Sequence, residues 1–286
     1  MIKDTLNEKG KQLKIVGIAC SPHKNGMTAQ LLQQALDGAK AAGAEVRTEF
    51  LIDEKMEPCL GCGGDCWGIF ECVHEKSEKT NMDQNLSSSA FHSRLQEADG
   101  IVMAVPVYCW QMNSLTHLFI DKMRWDTGSV LNPRNQRAAF GIACAGGSGT
   151  GCVLALQALY RYFYNWAFHG IRPLPVTRFN FDNALKEAYN GGMELAAVIR
   201  GGLKPFPGLG AAMADLETLP YMMDGPVDEL RMVVGQLLDR LPESSEPLIS
   251  VLYEEAGLGE DAWATGDRQA AAVHFGKAWE AGQKAF

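Results

Sequence analysis

Four of the eight cysteines fall within the fourteen residues from Cys59 to Cys72, spaced C-x2-C-x3-C-x5-C: Cys59, Cys62, Cys66 and Cys72. Gly61, Gly63, Gly64 and Gly68 lie between them and let the backbone turn tightly enough for several sulfurs to converge. Four thiolates on one short loop suit an iron–sulfur cluster such as [4Fe–4S]. A structural zinc more often takes two C-x2-C knuckles set a dozen or more residues apart. Zinc and thiols that bind nothing remain the competing readings. A disulfide framework needs an oxidising compartment, to which nothing in the chain points.

A second kind of chemistry sits on three loops, each following an apolar run. The run Leu13 to Cys20 ends in Ser21-Pro22-His23-Lys24-Asn25-Gly26-Met27-Thr28. A loop of this kind before a helix presents free backbone N–H groups and the positive end of a dipole to an anion. Ser21 and Thr28 add hydroxyls, and His23 and Lys24 add charge. Neither a Walker loop nor G-x-G-x-x-G is present. The run Gly100 to Val105 ends in Pro106-Val107-Tyr108-Cys109-Trp110-Gln111-Met112-Asn113, and Arg137 to Ala145 ends in Gly146-Gly147-Ser148-Gly149-Thr150-Gly151. The glycines allow close approach of backbone to a flat ligand. Tyr108 and Trp110 either stack on or gate such a ligand or simply pack at a strand end. Cys109 faces the same space, whereas Cys20, Cys144 and Cys152 read as small packing residues. His74, His117, His169 and His274 show no partner pattern, and no Ser/His/Asp set or HExxH motif supports hydrolysis.

The elements that must position these loops follow from hydrophobic periodicity. Strands are expected at 13–20, 45–52, 100–105, 137–145 and 170–176. Helices are expected after Gly26, at 83–97, after Asn113, at 152–168 and at 181–199. Alternating strands and helices predict a doubly wound α/β sheet of five parallel strands, with ligands at the C-terminal strand ends. Residues 201–210, rich in Gly and Pro, read as a linker. Helices at about 226–241, 246–256 and 260–284 follow, the last with the offsets of one tetratricopeptide-type hairpin. One such hairpin is too few for a solenoid, so 204–286 reads as a helical C-terminal extension packed on the 1–203 domain or on another subunit.

These residues together resemble a known family. Residues 13–177 are similar to the flavodoxin-like NAD(P)H-dependent FMN reductase superfamily, most closely its iron–sulfur flavoprotein branch. The resemblance rests on four features in order: Ser21-Pro22-x-Lys24-x-Gly26-x-Thr28; Pro58-Cys59-x-Gly61-Cys62; Ala98-Asp99-Gly100-Ile101 running to Pro106-Val107-Tyr108, with Phe119-Ile120-Asp121-Lys122 beyond; and the glycine loop. It implies a flavodoxin-like fold and an FMN. The phosphate would lie in the first loop, held by Ser21, Thr28 and the loop amides, with His23, Lys24 and Gly26 around it. The ring would lie against Pro106, Val107, Tyr108, Cys109, Trp110 and Asn113, and against Gly146, Gly147, Ser148 and Gly149. Tyr108, Cys109 and Trp110 would be nearest the chemistry. The resemblance also implies a [4Fe–4S] cluster on Cys59, Cys62, Cys66 and Cys72. Three positions depart from the family pattern. His23 stands for an Arg, Met27 stands for a polar residue, and three residues rather than two separate Cys62 from Cys66.

Function is thereby expected to be that of a flavin-dependent oxidoreductase passing electrons between FMN and the cluster. Alternatives are an NAD(P)H-dependent FMN or quinone reductase without a cluster, and a non-catalytic module ordered by zinc. Donors of the expected kind are NAD(P)H or ferredoxin, the acceptor a quinone or another small molecule. A homo-oligomer is in keeping with the family. The net charge of −8 resides entirely in 204–286, with 6 Lys/Arg against 14 Asp/Glu, which argues against nucleic acid. The polar N-terminus and the lack of a long apolar run predict a cytoplasmic protein without a membrane span. Because every expected flavin loop precedes residue 152, the extension is expected to be dispensable for flavin binding.

Overall fold

The computed structural model describes residues 12–54, 56–61, 90–129, 132–133 and 136–286. The chain opens with β1 (Lys14–Ala19), whose residues beyond Lys14 are all buried, as a central parallel strand requires. Helix α1 (Met27–Ala41) returns to β2 (Glu45–Phe50). Among the described strands only β2 carries alternating charge, Glu45, Arg47 and Glu49, which suits an edge strand. A 3-10 turn (Leu51–Asp53) and an irregular stretch at 56–61 follow it.

Beyond the cysteine stretch come α2 (Ala90–Gln96), β3 (Gly100–Tyr108), β4 (Gln111–Met112) and α3 (Ser114–Lys122). A small ribbon of β5 (Gly128–Ser129) and β6 (Asn132–Pro133) leads to β7 (Arg137–Ala145), buried throughout. Then come α4 (Cys152–Asn165), β8 (Phe168–Gly170), β9 (Leu174–Thr177) and α5 (Phe181–Arg200). Four more helices complete the chain: α6 (Leu209–Thr218), α7 (Pro226–Arg240), α8 (Pro247–Ala264) and α9 (Arg268–Ala285).

The main sheet runs β2-β1-β3-β7-β8, with β9 also on β7 and β4 turned back on β3. All pairings are parallel except that of β4. The sheet therefore has seven strands rather than the five expected. The surplus has two sources. One is the two-residue β4. The other is the fifth position, where β8 pairs with Arg137–Ala139 and β9 with Ile142–Ala145. The break falls at Ile171-Arg172-Pro173, and a proline cannot donate to a ladder.

Alternate residues of β3 point to opposite layers. Ile101, Met103 and Val105 join Phe91, Phe119, Leu156 and Phe163 on one face. Val102 and Ala104 join Leu32, Leu36, Ala188 and Leu195 of α1 and α5 on the other. A third core lies wholly beyond the sheet, where Val233, Leu237, Leu252, Ala271, Phe275 and Ala278 of α7–α9 close around Phe179.

Two features of the C-terminal region differ from expectation. The linker is shorter, and α6 follows it, burying Ala212 and Leu216 against the α4 side of the core. Met213 packs beside them. The helix expected to stop at residue 256 continues to Ala264 through Gly257 and Gly259. A Cβ at Gly259 would lie 2.6 Å from the Phe275 ring, so glycine there serves close packing and not helix termination. None of the helices among the described residues is long and apolar enough to cross a membrane.

Candidate functional site at the C-terminal rim of the sheet

Three loops leave the C-terminal ends of β1, β3 and β7, and parallel strands put those ends on one rim. In the first loop, Ser21 is buried and its hydroxyl accepts from the His23 amide at 3.1 Å. Helix α1 then starts without a side-chain hydrogen bond at its N-cap, Gly26, and with no acidic residue in its first turn. Its N-terminal amides and dipole are thus uncompensated by side chains, the condition that favours an anion. Thr28 is buried and its hydroxyl meets the Cys144 thiol. His23 is exposed. Lys24 is drawn toward the end of β2, where it pairs with Asp53 at 2.6 Å and lies 5.2 Å over the Phe50 ring.

The second loop is a two-residue hairpin in which Tyr108 pairs with Gln111 and Val107 with Met112. Both central residues, Cys109 (φ 50°) and Trp110 (φ 67°), are left-handed. That is the I′ geometry whose twist suits a tight hairpin, usually built from Asn and Gly. Two residues other than glycine held there are strained at about 1 kcal/mol or more each. Tyr108, Cys109 and Trp110 lie on the surface, with Tyr108 47% and Trp110 56% exposed. Pro106 and Val107 remain in β3. Asn113 is buried: its amide donates to the Cys20 carbonyl at 2.9 Å and its oxygen accepts from the Thr116 N–H at 3.1 Å. It therefore ties the first loop to the second, and its side chain faces backbone, away from the rim surface.

Gly146, Gly147 and Ser148 of the third loop are exposed, and Gly149 is buried. Gly149 (φ 85°) and Gly151 (φ 99°) are left-handed. A Cβ at Gly146 would lie 3.6 Å from the Met27 sulfur, and one at Gly151 would lie 2.5 Å from the Trp110 Cα. The glycine loop thus touches both of the others, and the three form one continuous surface.

Sequence reasoning missed what lies behind this loop. The Glu229 carboxylate, buried on α7, accepts from the N–H groups of Gly151 at 2.9 Å and Val153 at 2.8 Å. Burial pushes its carboxyl above the usual range, while those amides and that of Cys152 act to hold it down. The indole N–H of Trp279 and the amide of Gln283, both on α9, donate to the Ser148 carbonyl at 2.9 and 2.8 Å. No local pattern announces these contacts, because the partners stand 78, 131 and 135 residues away.

Of the expected metal ligands, Cys59 is a free, exposed thiol on the stretch that follows β2. Cys62, Cys66 and Cys72, with His74, lie outside the described residues. Cys20, Cys144 and Cys152 are buried and free, as expected of packing residues. Burial pushes the Cys20 thiol up to about 12, that of Cys144 up to about 11, and that of Cys152 up as well. Such thiols are poor nucleophiles and poor ligands. Two concave sites lie elsewhere. One of about 230 Å³ is lined by Phe140, Arg172 and Glu187. The other, of about 90 Å³, lies between Asn180 and Gln236. Neither is lined by residues of the three loops.

Residues 13–185 match the family described as NADPH-dependent FMN reductase. The chain belongs to that family. Among relatives, an iron–sulfur flavoprotein of Archaeoglobus fulgidus is 32% identical over 111 residues, 39% of this chain and 46% of the relative. An iron–sulfur flavoprotein of Methanocaldococcus jannaschii is 26% identical over 209 residues, 66% of this chain and 98% of the relative. This member of the FMN reductase family thus spans less than half of the first relative and nearly all of the second. Among solved structures, RosB with its bound intermediate 8-demethyl-8-formylriboflavin-5'-phosphate superposes with a TM-score of 0.51. It is 14% identical, with 72% of this chain and 87% of that one covered, and the likeness bears on the fold alone. The flavodoxin-like sheet and the family match agree with each other and with the resemblance read from the four motifs.

Proposed function

We propose that this FMN reductase family member is a flavin-dependent oxidoreductase that passes electrons between FMN and a [4Fe–4S] cluster held by Cys59, Cys62, Cys66 and Cys72. The observation that carries the reading is the convergence of three loops of complementary character on one rim. One offers an uncompensated helix N-terminus, one exposed aromatics, and one bare glycine backbone. When bound, FMN takes a hydride or single electrons, and a cluster handles one electron at a time.

The chain's own residues divide the binding work. The α1 N-terminus with Ser21 and Thr28 takes the phosphate, because backbone amides and a positive dipole end stabilise a dianion. Tyr108, Cys109 and Trp110 border the ring on one side, and Gly146 to Gly149 let backbone N–H groups approach it on the other. Asn113 and Gly151 keep these walls in register by locking each loop to its neighbour. Cys59 follows β2, whose C-terminal end shares the rim, and the Lys24–Asp53 pair joins that stretch to the phosphate loop. In this reading a cluster that includes Cys59 lies near the flavin surface, which suits transfer of electrons between them. NAD(P)H or ferredoxin would serve as donor, and a quinone or small molecule as acceptor.

Purified protein should contain FMN together with iron and acid-labile sulfide in near-equal amounts. Cys66→Ala should lose most of the iron and keep FMN. It should also keep two-electron quinone reduction while losing exchange with a one-electron carrier such as ferredoxin. Iron at the wild-type level in Cys66→Ala would remove the cluster assignment. FMN without any metal in the wild type would favour the cluster-free reductase, and zinc without flavin the non-catalytic module.

A further inference from the structure

The glycine loop does not hold its own shape. Helix α4 begins at Gly151, which has no side chain to cap it, and its first turn carries no acidic residue. An uncapped helix end leaves N–H groups without partners. Here the cap comes from another element: one oxygen of Glu229, Oε1, accepts from both Gly151 and Val153. The loop is gripped further along its length. Trp279 and Gln283 hold the Ser148 carbonyl. A Cβ at Gly149 would lie 3.1 Å from Phe179 and 3.2 Å from Val233. The Thr177 hydroxyl, at the end of the neighbouring β9, is 2.6 Å from the Gln236 side-chain oxygen on α7.

We infer that α7–α9 form a brace that sets the conformation of the glycine loop, with Glu229, Trp279 and Gln283 as positioning residues for the flavin surface. The brace has a second consequence. Of the helix N-termini that follow sheet strands, that of α3 is capped by the Asn113 side chain and that of α5 carries Asp182 in its first turn, which leaves those of α1 and α4. Glu229 places a carboxylate on the α4 end, so that end is already satisfied and repels a further anion. The α1 end has no such group in its first turn. Glu229 thereby directs a phosphate to the first loop by closing the competing position. The brace itself rests on contacts within the chain; its effect on FMN rests on the reading proposed above.

Hydrogen–deuterium exchange of the flavin-free full chain, paired with FMN titration by fluorescence, separates the two. Glu229→Ala should speed exchange of the amides at 146–153 about tenfold relative to wild type, leaving β1 and α5 unchanged. FMN affinity should fall about tenfold with it. Glu229→Gln keeps the accepting oxygen and should restore both to within about threefold of wild type. Should Glu229→Ala fail to fold, the double variant Trp279→Phe with Gln283→Leu, which leaves the buried carboxylate in place, should speed exchange at 147–149. Unchanged exchange at 146–153 in a folded Glu229→Ala protein overturns the brace, whatever FMN does. Faster exchange with unchanged FMN affinity keeps the brace and overturns its link to the flavin. A wild type that binds no FMN, yet shows the exchange difference, keeps the brace and sinks the flavin reading alone.

Discussion

At the scale of single residues, Gly151 carries more of the site than its size suggests. It adopts φ 99°, caps α4 through its own carbonyl and the Glu229 contact, and lies directly under the Trp110 backbone. The hairpin above it holds Cys109 and Trp110 in left-handed conformations, which persist only where surroundings over-determine them. Gly151→Ala would impose a strained φ on the new side chain and press a Cβ against the Trp110 Cα, a backbone atom that cannot swing aside. The expected cost is about 2 kcal/mol of stability. Urea unfolding at neutral pH should show it as a lower midpoint with unchanged slope, and an unshifted midpoint would mean that the two loops are not packed as described. Asn113 makes the complementary point. Its buried side chain joins two loops, donating to the Cys20 carbonyl and accepting from the Thr116 N–H.

At the scale of elements, the N-terminus of α7 is a place where acid should weaken the packing of helices. The Asp228 carboxylate accepts from the Gly225 N–H at 2.8 Å and from Arg268 at 2.6 and 3.2 Å. Arg268 also lies 3.9 Å over the Trp263 ring, so one ion pair gathers the starts of α7 and α9 and the end of α8. The Arg268 hydrogen bond holds the Asp228 carboxyl below its ordinary value. Hydrogen bonds from His274 and Lys277 act likewise on Glu255, the His274 bond first. A depressed carboxyl contributes stability that is fully present above its unfolded value, near about 4, and is lost as pH falls through the folded value. The stability of α7–α9 should therefore fall on acidification below about pH 4. Asp228→Asn should cost about 1 kcal/mol at pH 7, the worth of a cap plus a solvent-screened ion pair, and should flatten that acid dependence. Equal acid dependence of the two proteins in pH-resolved urea titrations would contradict this. Because Glu229 is the next residue on α7, loosening here should also raise exchange in the glycine loop.

At the scale of the whole molecule, the extension and the α/β domain are not independent. The boundary at residue 203 is crossed by shared core as well as by the brace. Phe206, Ala212, Leu216 and Met222 belong to the same buried cluster as Leu159, Tyr160 and Tyr164 of α4. The amide of Gln157 donates to the carbonyls of Tyr221 and Asp224, each at 2.8 Å. A chain ending at Leu203 would uncover that apolar face of α4 and remove the Glu229 cap together. These contacts predict the opposite of dispensability. The truncated protein should aggregate on size exclusion, or, where soluble, bind FMN at least about tenfold more weakly than the full chain. A monodisperse truncation with full-chain affinity would show that the α/β domain holds its glycine loop unaided.

What the sequence by itself determined is local. Apolar runs gave β7 at Arg137–Ala145 and α5 at Phe181–Arg200 within a residue of their limits, because a strand buried on both faces and an amphipathic helix write their periods into consecutive residues. The three loops were legible for the same reason: each follows such a run and is polar or glycine-rich. The buried character of Cys20, Cys144 and Cys152 could be read as well. Tertiary structure decided the rest. Pro173 divides the last strand position only because its neighbours pair separately with two halves of β7. Gly257 and Gly259 read as a break until Phe275 is packed against Gly259. Cys109 and Trp110 show no preference for left-handed backbone, which the hairpin and Gly151 impose together. The brace on the glycine loop is the clearest case. A carboxylate on α7 and two donors on α9 act on one turn after β7, and hydrogen bonds between residues 78 to 135 positions apart leave no period, spacing or motif in the chain. They exist only once helix packing around Val233, Leu237 and Phe275 has brought those side chains to the loop.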